Sequence, residues 1–217
     1  MMRVWLGWAI ASICLLTACA AGPSGQMRVA EAKASLDAAP ACCDSLSKAD
    51  NIPLPLKKTT IEIDGKSQAF EFESKKSFFK VFSLPAFTRP YGVLVTSLAG
   101  GPLADLTVFV PRVAMLNANF DRTRFFEEAS LRSRGNNLER TIFINPADSQ
   151  ERYILIYGSG LASSVELTFS QVSSQTYSGA NGGLFVFHTG NDAKAVVRAA
   201  PVGRLEIEVQ GLESERL

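Results

Sequence analysis

From residue 59 onward, apolar and polar residues alternate with a period of two. Ile61 and Ile63 alternate with Glu62 and Asp64, and Phe70 and Phe72 alternate with Glu71 and Glu73. Asp64-Gly65 between them is a turn signal, so the pattern predicts a β-hairpin. Residues 77–84 are apolar and aromatic around the single charge of Lys80, and residues 91–98, 106–110 and 141–144 also read as strands. Residues 153–157 are apolar throughout, which predicts a central strand buried on both faces. Val165, Leu167 and Phe169 resume the alternation, as do Leu205, Ile207 and Val209, and residues 184–187 add a short strand. Turns rich in glycine and proline separate these runs: Gly100-Gly101-Pro102, Asn145-Pro146, Gly158-Ser159-Gly160 and Gly182-Gly183. The expected fold is all-β, a single β-sandwich domain of jelly-roll type over residues 42–212. Within residues 121–134, Phe125-Phe126-Glu127-Glu128 could be helix or strand, and the arginines around the double phenylalanine favour a covered loop.

The N-terminal segment has a different pattern. Arg3 precedes an apolar run over residues 4–16 that ends in Thr17-Ala18, the layout of a secretory signal peptide over residues 1–18. The run is too short to span a bilayer, which takes about 20 apolar residues. Leu16-Thr17-Ala18-Cys19 resembles the lipobox of bacterial lipoproteins, which implies lipidation at Cys19 and a lipid anchor in the membrane. Ala18-Cys19-Ala20 also has the A-x-A form of an ordinary cleavage site. In the lipoprotein reading Ala20 follows the anchor, and the resemblance to enterobacterial sorting then implies the outer membrane. Residues 19–41, rich in Ala, Gly, Ser and Lys, read as a flexible tether in which residues 27–38 could form a helix with a thin apolar face.

Composition narrows the chemistry. Of 217 residues, 47% are hydrophobic, and 22 Lys+Arg stand against 21 Asp+Glu. That balance excludes a basic nucleic-acid footprint. Both tryptophans, Trp5 and Trp8, lie in the expected signal, and so does Cys14, which leaves Cys42 and Cys43 as the cysteines of the folded part. In an oxidising compartment these neighbours would form a vicinal disulfide, reducible and able to act as a switch, or remain half-buried thiols or a structural turn. No G-x-S-x-G elbow or phosphate loop is present, and His188, the one histidine, ends an apolar strand. Glu127, Glu128 and Asp105 are candidate carboxylates, but the sequence gives no two of them a defined separation. Residues 117–121 are oxygen-rich enough for weak Ca²⁺ at most, so no metal and no cofactor is expected. A sugar platform would need aromatic faces, and the candidates are Tyr91, Tyr153, Tyr157 and Tyr177, with Tyr177 in the most polar setting. The phenylalanines are assigned to the core.

One resemblance bears on function. Val108-Phe109-Val110-Pro111-Arg112-Val113 runs on to Leu116-Asn117-Ala118-Asn119-Phe120, and Phe125-Phe126 follow. This resembles the maltose operon periplasmic protein (MalM) family, in which an F-x-P-x-V strand end precedes an aliphatic-D/N-x-N turn and an aromatic pair. Cys42-Cys43 with Leu46 and Pro53-Leu54-Pro55-Leu56, residues 153–157, and Gly203-Arg204-Leu205-Glu206-Ile207 fit more loosely. The resemblance implies a non-enzymatic periplasmic accessory in maltose and maltodextrin transport, with no catalytic residues. Its partner would be maltodextrin, or a porin or other envelope protein. The chain departs from the family in having a lipobox and in lacking a long C-terminal extension. The rival expectation is a structural or assembly lipoprotein that binds envelope proteins without a sugar ligand.

Overall fold

A computed structural model describes residues 22–86, 88–147, 150–160, 163–178 and 184–211. The expected signal peptide, Cys19 and the turn at residues 179–183 lie outside the described residues. Among these residues one α-helix, α1 (Gly25–Ala38), precedes fourteen strands. These are β1 (Asn51–Pro53), β2 (Thr59–Ile63), β3 (Ala69–Phe72), β4 (Lys75–Ser83), β5 (Tyr91–Leu98), β6 (Thr107–Phe109) and β7 (Pro111–Asn117). The chain continues through β8 (Arg122–Phe126), β9 (Arg132–Arg134), β10 (Asn137–Ile144), β11 (Glu151–Gly158), β12 (Ser164–Ser178), β13 (Leu184–Ala200) and β14 (Gly203–Gln210).

Two sheets carry the fold. One has the order β1-β4-β11-β7-β8, with β3 also paired to β4, and the other has the order β2-β14-β5-β10-β9. Eight of these strands (β2, β4, β5, β7, β8, β10, β11 and β14) can be counted one to eight along the chain. The sheets then read first-eighth-third-sixth and second-seventh-fourth-fifth, which is jelly-roll wrapping. The core lies between them. Phe78, Phe82, Met115, Ile154 and Ile156 of one sheet face Ile63, Val93, Val95, Ile142 and Leu205 of the other, all at most 1% exposed. β11 sits between β4 and β7, and its Ile154, Leu155, Ile156 and Tyr157 are buried, as its unbroken apolar run predicts.

Four expectations are corrected. β2 and β3 do not form a hairpin: β2 pairs with β14, and β3 pairs with β4. The Asp64-Gly65 turn instead carries the chain from one sheet to the other, which lets Ile63 and Ala69, on either side of it, both reach the core. Residues 121–134 are not a loop, because β8 and β9 occupy them. Arginines flank their phenylalanines as ring partners, with Arg122 4.9 Å from the Phe125 centroid and Arg124 5.5 Å from that of Phe126.

The expected tether is for the most part helix α1, packed on the domain. Ser24 caps it by accepting from Met27 N, and the Asp105 carboxylate accepts from Gly25 N. Arg28 donates to Asp105 O at 2.7 Å, Lys76 donates to Asp37 O at 3.0 Å, and Ala32 and Leu36 are buried. Two small apolar contacts and several polar ties are enough to dock a helix whose apolar face is narrow. The short strand expected at residues 184–187 is the start of β13, which runs for 17 residues and pairs with β12 from Leu184 to Arg198.

Candidate functional site

In β7 and β11 the period of two sends Ala114, Leu116, Leu155 and Tyr157 to the side away from the core, and Phe79 and Val81 of β4 join them. In a two-layer sandwich that side would normally be polar. Here a thin aromatic layer covers it, made by Phe70 and Phe72 of β3, by Phe120 and Phe125, and by Cys42, Cys43 and Leu46. Phe70, Phe72 and Phe79 meet edge to face with centroids 5.1, 6.3 and 5.7 Å apart. Phe72 stacks on Tyr157 at 4.1 Å, and Phe120 stacks on Tyr153 at 4.3 Å.

The cover is incomplete and leaves a groove of about 300 Å³. Ala114, Leu116 and Leu155 line its apolar part, with Leu46, Phe72 and Phe120. Glu71, Glu73 and Arg122 bring charge to it. A volume near the lower end of the range for ligand pockets, with apolar walls and a few polar groups, suits a small molecule that has both apolar and hydroxylated faces.

One ion network sets the groove's electrostatics. Arg112 Nε donates to Glu128 Oε2 at 2.8 Å, and its Nη1 donates to Glu73 Oε2 at 3.2 Å. Arg122 Nη1 donates to the other Glu73 oxygen at 3.0 Å. Both guanidiniums lie over the Phe125 ring, at 5.5 and 4.9 Å. The Glu128 hydrogen bond holds the Arg112 pKa above its ordinary value against the opposing effect of burial. Burial alone would raise the Glu128 carboxyl, but the Arg112 hydrogen bond and charge outweigh it and hold the group below its usual value. Burial, helped by the Glu73 charge, raises the Tyr157 phenol and keeps it protonated.

Backbone geometry singles out the same place. Among the described residues, three that are not glycine have positive φ: Glu73 (50°), Ser74 (64°) and Phe120 (64°). Glu73-Ser74 is a two-residue hairpin turn of a kind that prefers Asn and Gly. A bulky aromatic such as Phe120 is costlier still in the left-handed region. Two of the three line the groove, and backbone strain of this kind persists where the surrounding contacts fix it.

The structure joins Cys42 to Cys43 in a disulfide, S–S 2.08 Å. Cys42 N donates to Ala69 O at 2.8 Å, which ties the cysteine pair to β3 just ahead of Phe72 and Glu73.

Of the candidate tyrosines, Tyr153 and Tyr157 belong to this aromatic face. Tyr91 is a core residue with its phenol pushed up to about 12, chiefly by burial. Tyr177 and His188 fall in the β12–β13 ribbon, in register with Phe185 and Ser174, and their side chains lie outside the described residues. The candidate carboxylates do not converge: Glu127 is exposed, Glu128 pairs with Arg112, and Asp105 pairs with Arg198. At residues 117–121 the Asn117 Oδ1 accepts from Asn119 N and Asp121 N, so the turn uses its own oxygen. No metal-binding cluster occurs among the described residues.

The sequence reading missed Phe72, Glu73, Arg112, Phe120 and Arg122. The available signal was Arg112 itself, a charge in the apolar run that precedes Asn117.

What the fold and groove define is a jelly-roll sandwich with an aromatic groove on the outer face of one sheet. No protein-family model matches the chain, and neither a curated protein nor a solved structure matches it.

Replacing Arg112 with Met would strand the Glu128 carboxylate and leave Glu73 paired with Arg122 alone. The expected loss is about 2 kcal/mol at neutral pH, since both carboxylates are partly solvated. In thermal unfolding this is a fall in Tm of about 4–8 °C. Because the Glu128 carboxyl is held below its usual value, its contribution is present above that value and disappears as pH falls through the lowered one. The gap between wild type and Arg112→Met is therefore expected to narrow in acid. A gap that stayed constant down to acid pH would show that the pairing does not supply the stability.

Proposed function

We propose that the protein is a periplasmic lipoprotein, anchored to the outer membrane through Cys19, that serves carbohydrate transport as a non-catalytic accessory. Its groove would hold a maltodextrin-type sugar. The observation that carries this reading is the groove's make-up. Phe72 and Phe120 offer apolar ring faces beside Glu71, Glu73 and Arg122, which can exchange hydrogen bonds with hydroxyls. A sugar ring has that same division between an apolar face and a polar edge. The lipobox-like Leu16-Thr17-Ala18-Cys19 and the resemblance to the maltose operon periplasmic family support the address and the role.

A second reading, a structural or assembly lipoprotein that binds envelope proteins, is favoured by the β12–β13 ribbon. Its strands pair from Ser164↔Arg198 to Ser178↔Leu184, yet a third strand joins the ladder only at Arg198–Ala200, and β9 touches it through Ser133 Oγ, which accepts from Thr168 N at 2.7 Å. Beyond that point the ribbon has unpaired edges among the described residues, a form that can accept a partner strand.

Thermal unfolding of the mature chain with maltose and longer maltodextrins separates the two readings. Sugar at about 100 times its Kd stabilises by about 2.7 kcal/mol, a rise in Tm of about 5–10 °C. The rise is expected to saturate, to grow with sugar length, and to vanish in Phe120→Ala. No shift at millimolar sugar would contradict the sugar site and favour the protein partner. The anchor has its own test: radiolabelled palmitate is expected to enter the wild type and not Cys19→Ala, and equal labelling of both would contradict it.

A further inference from the structure

The other sheet carries a separate concavity. β9 is three residues long and pairs Arg134, Ser133 and Arg132 with Asn137, Leu138 and Glu139 of β10. Beyond Glu139 no strand neighbours β10 on that side among the described residues. Next to this gap is a cavity of about 220 Å³ lined by Ser130, Arg132, Glu139, Arg140, Thr141 and Phe143. Phe143 is 74% exposed, an unusual setting for a phenylalanine beside a polar cavity.

The charge at this notch is unbalanced. Arg132, Arg134 and Arg140 stand against the Glu139 carboxylate, which pairs with Arg134 at 3.5 Å. Arg124 reaches the same strand by donating to Phe143 O at 3.0 Å, but Glu151 matches its charge through two 2.6 Å hydrogen bonds. Arg132 and Arg140 therefore have no carboxylate partner among the described residues. Arg140 is held in place by donating Nη1 to Ser130 O at 2.8 Å and by lying 4.4 Å from the Phe126 centroid. Its Nε is buried with no hydrogen-bond partner among the described residues. Burial, reinforced by the Arg132 charge, lowers its pKa, as expected for a cation short of counter-charge. In a chain with nearly balanced charge, two unmatched guanidiniums and an exposed ring border one cavity.

We infer that this notch binds an acidic saccharide, with its carboxylate or phosphate between Arg132 and Arg140 and the apolar face of its ring over Phe143. Guanidiniums suit such oxyanions because their planar fork matches two oxygens at once. An exposed aromatic ring supplies the surface that a pyranose covers. A neutral sugar would leave the cations unmatched, and a bare anion would leave Phe143 uncovered. This site shares no residue with the groove. Its test therefore stands whether or not maltodextrin binds there.

The experiment is calorimetric titration of the mature chain with glucuronate and with glucose 6-phosphate, using glucose and inorganic phosphate as controls. Saturable binding of either acidic sugar is expected, weakening as sodium chloride screens the charges. Arg132→Ala and Phe143→Ala are each expected to weaken it at least about tenfold while the Tm stays near that of wild type. Both side chains are exposed, so neither change should compromise folding. The inference is overturned if neither acidic sugar binds at about 10 mM, or if either variant binds as tightly as wild type. Inorganic phosphate or glucose binding as tightly as the acidic sugars would overturn it as well.

Discussion

Strand β11 is apolar on both sides, so the sheet that contains it must be covered twice. The opposing sheet covers the inner face through Ile63, Val93, Ile142 and Leu205. Among the described residues no third sheet covers the outer face, and its cover is a patchwork of Phe70 and Phe72, Phe120 and Phe125, and the Cys42–Cys43 segment. Each large side chain buried there contributes about 1.5–3 kcal/mol, so the patchwork stabilises the fold substantially. A patchwork also leaves gaps. The groove is what remains between Leu46, Phe72 and Phe120, and Glu73 and Phe120 in its walls are held at positive φ by the contacts around them.

Arginine and phenylalanine meet in the same way at two places, with different consequences. Over Phe125, Arg112 and Arg122 are matched by Glu73 and Glu128, and the network is closed. Over Phe126, Arg124 is matched by Glu151 but Arg140 is not. A net charge near zero thus conceals local inequality, and the unmatched cation is the one beside an open cavity. Stacking on a ring satisfies the flat face of a guanidinium and leaves its edge in need of an acceptor.

Most strands were legible because a period of two survives wherever one face is buried. β5, β11 and β14 fall where the pattern puts them, and the buried character of β11 follows from its unbroken apolar run. Pairing was less legible. Asp64-Gly65 carries a hairpin signal, yet Ile63 and Phe72 belong to different sheets, a choice made by distant β14 and β4. Helix α1 was half legible: residues 27–38 could be read as a helix, but its docking could not, because only Ala32 and Leu36 of its apolar residues are buried and its other ties run to Asp105 and Lys76. Of the groove, only Tyr157 was legible, as one of the candidate aromatic faces. Alternation says that Phe72, Leu116 and Tyr157 point to one side of their strands, but not which side faces the core. Only non-local pairing brings them to one outer face beside Arg122 and Leu46.

The most direct test of this account is an NMR titration of the nitrogen-15-labelled mature chain with maltotriose. The account predicts saturable shifts confined to the amides of Leu46, Phe72, Phe120, Arg122 and Tyr157, which surround the groove. Amides with no saturable shift at these positions, or shifts only in the β12–β13 ribbon, would contradict the claim that the exposed gap in the aromatic layer is a sugar site.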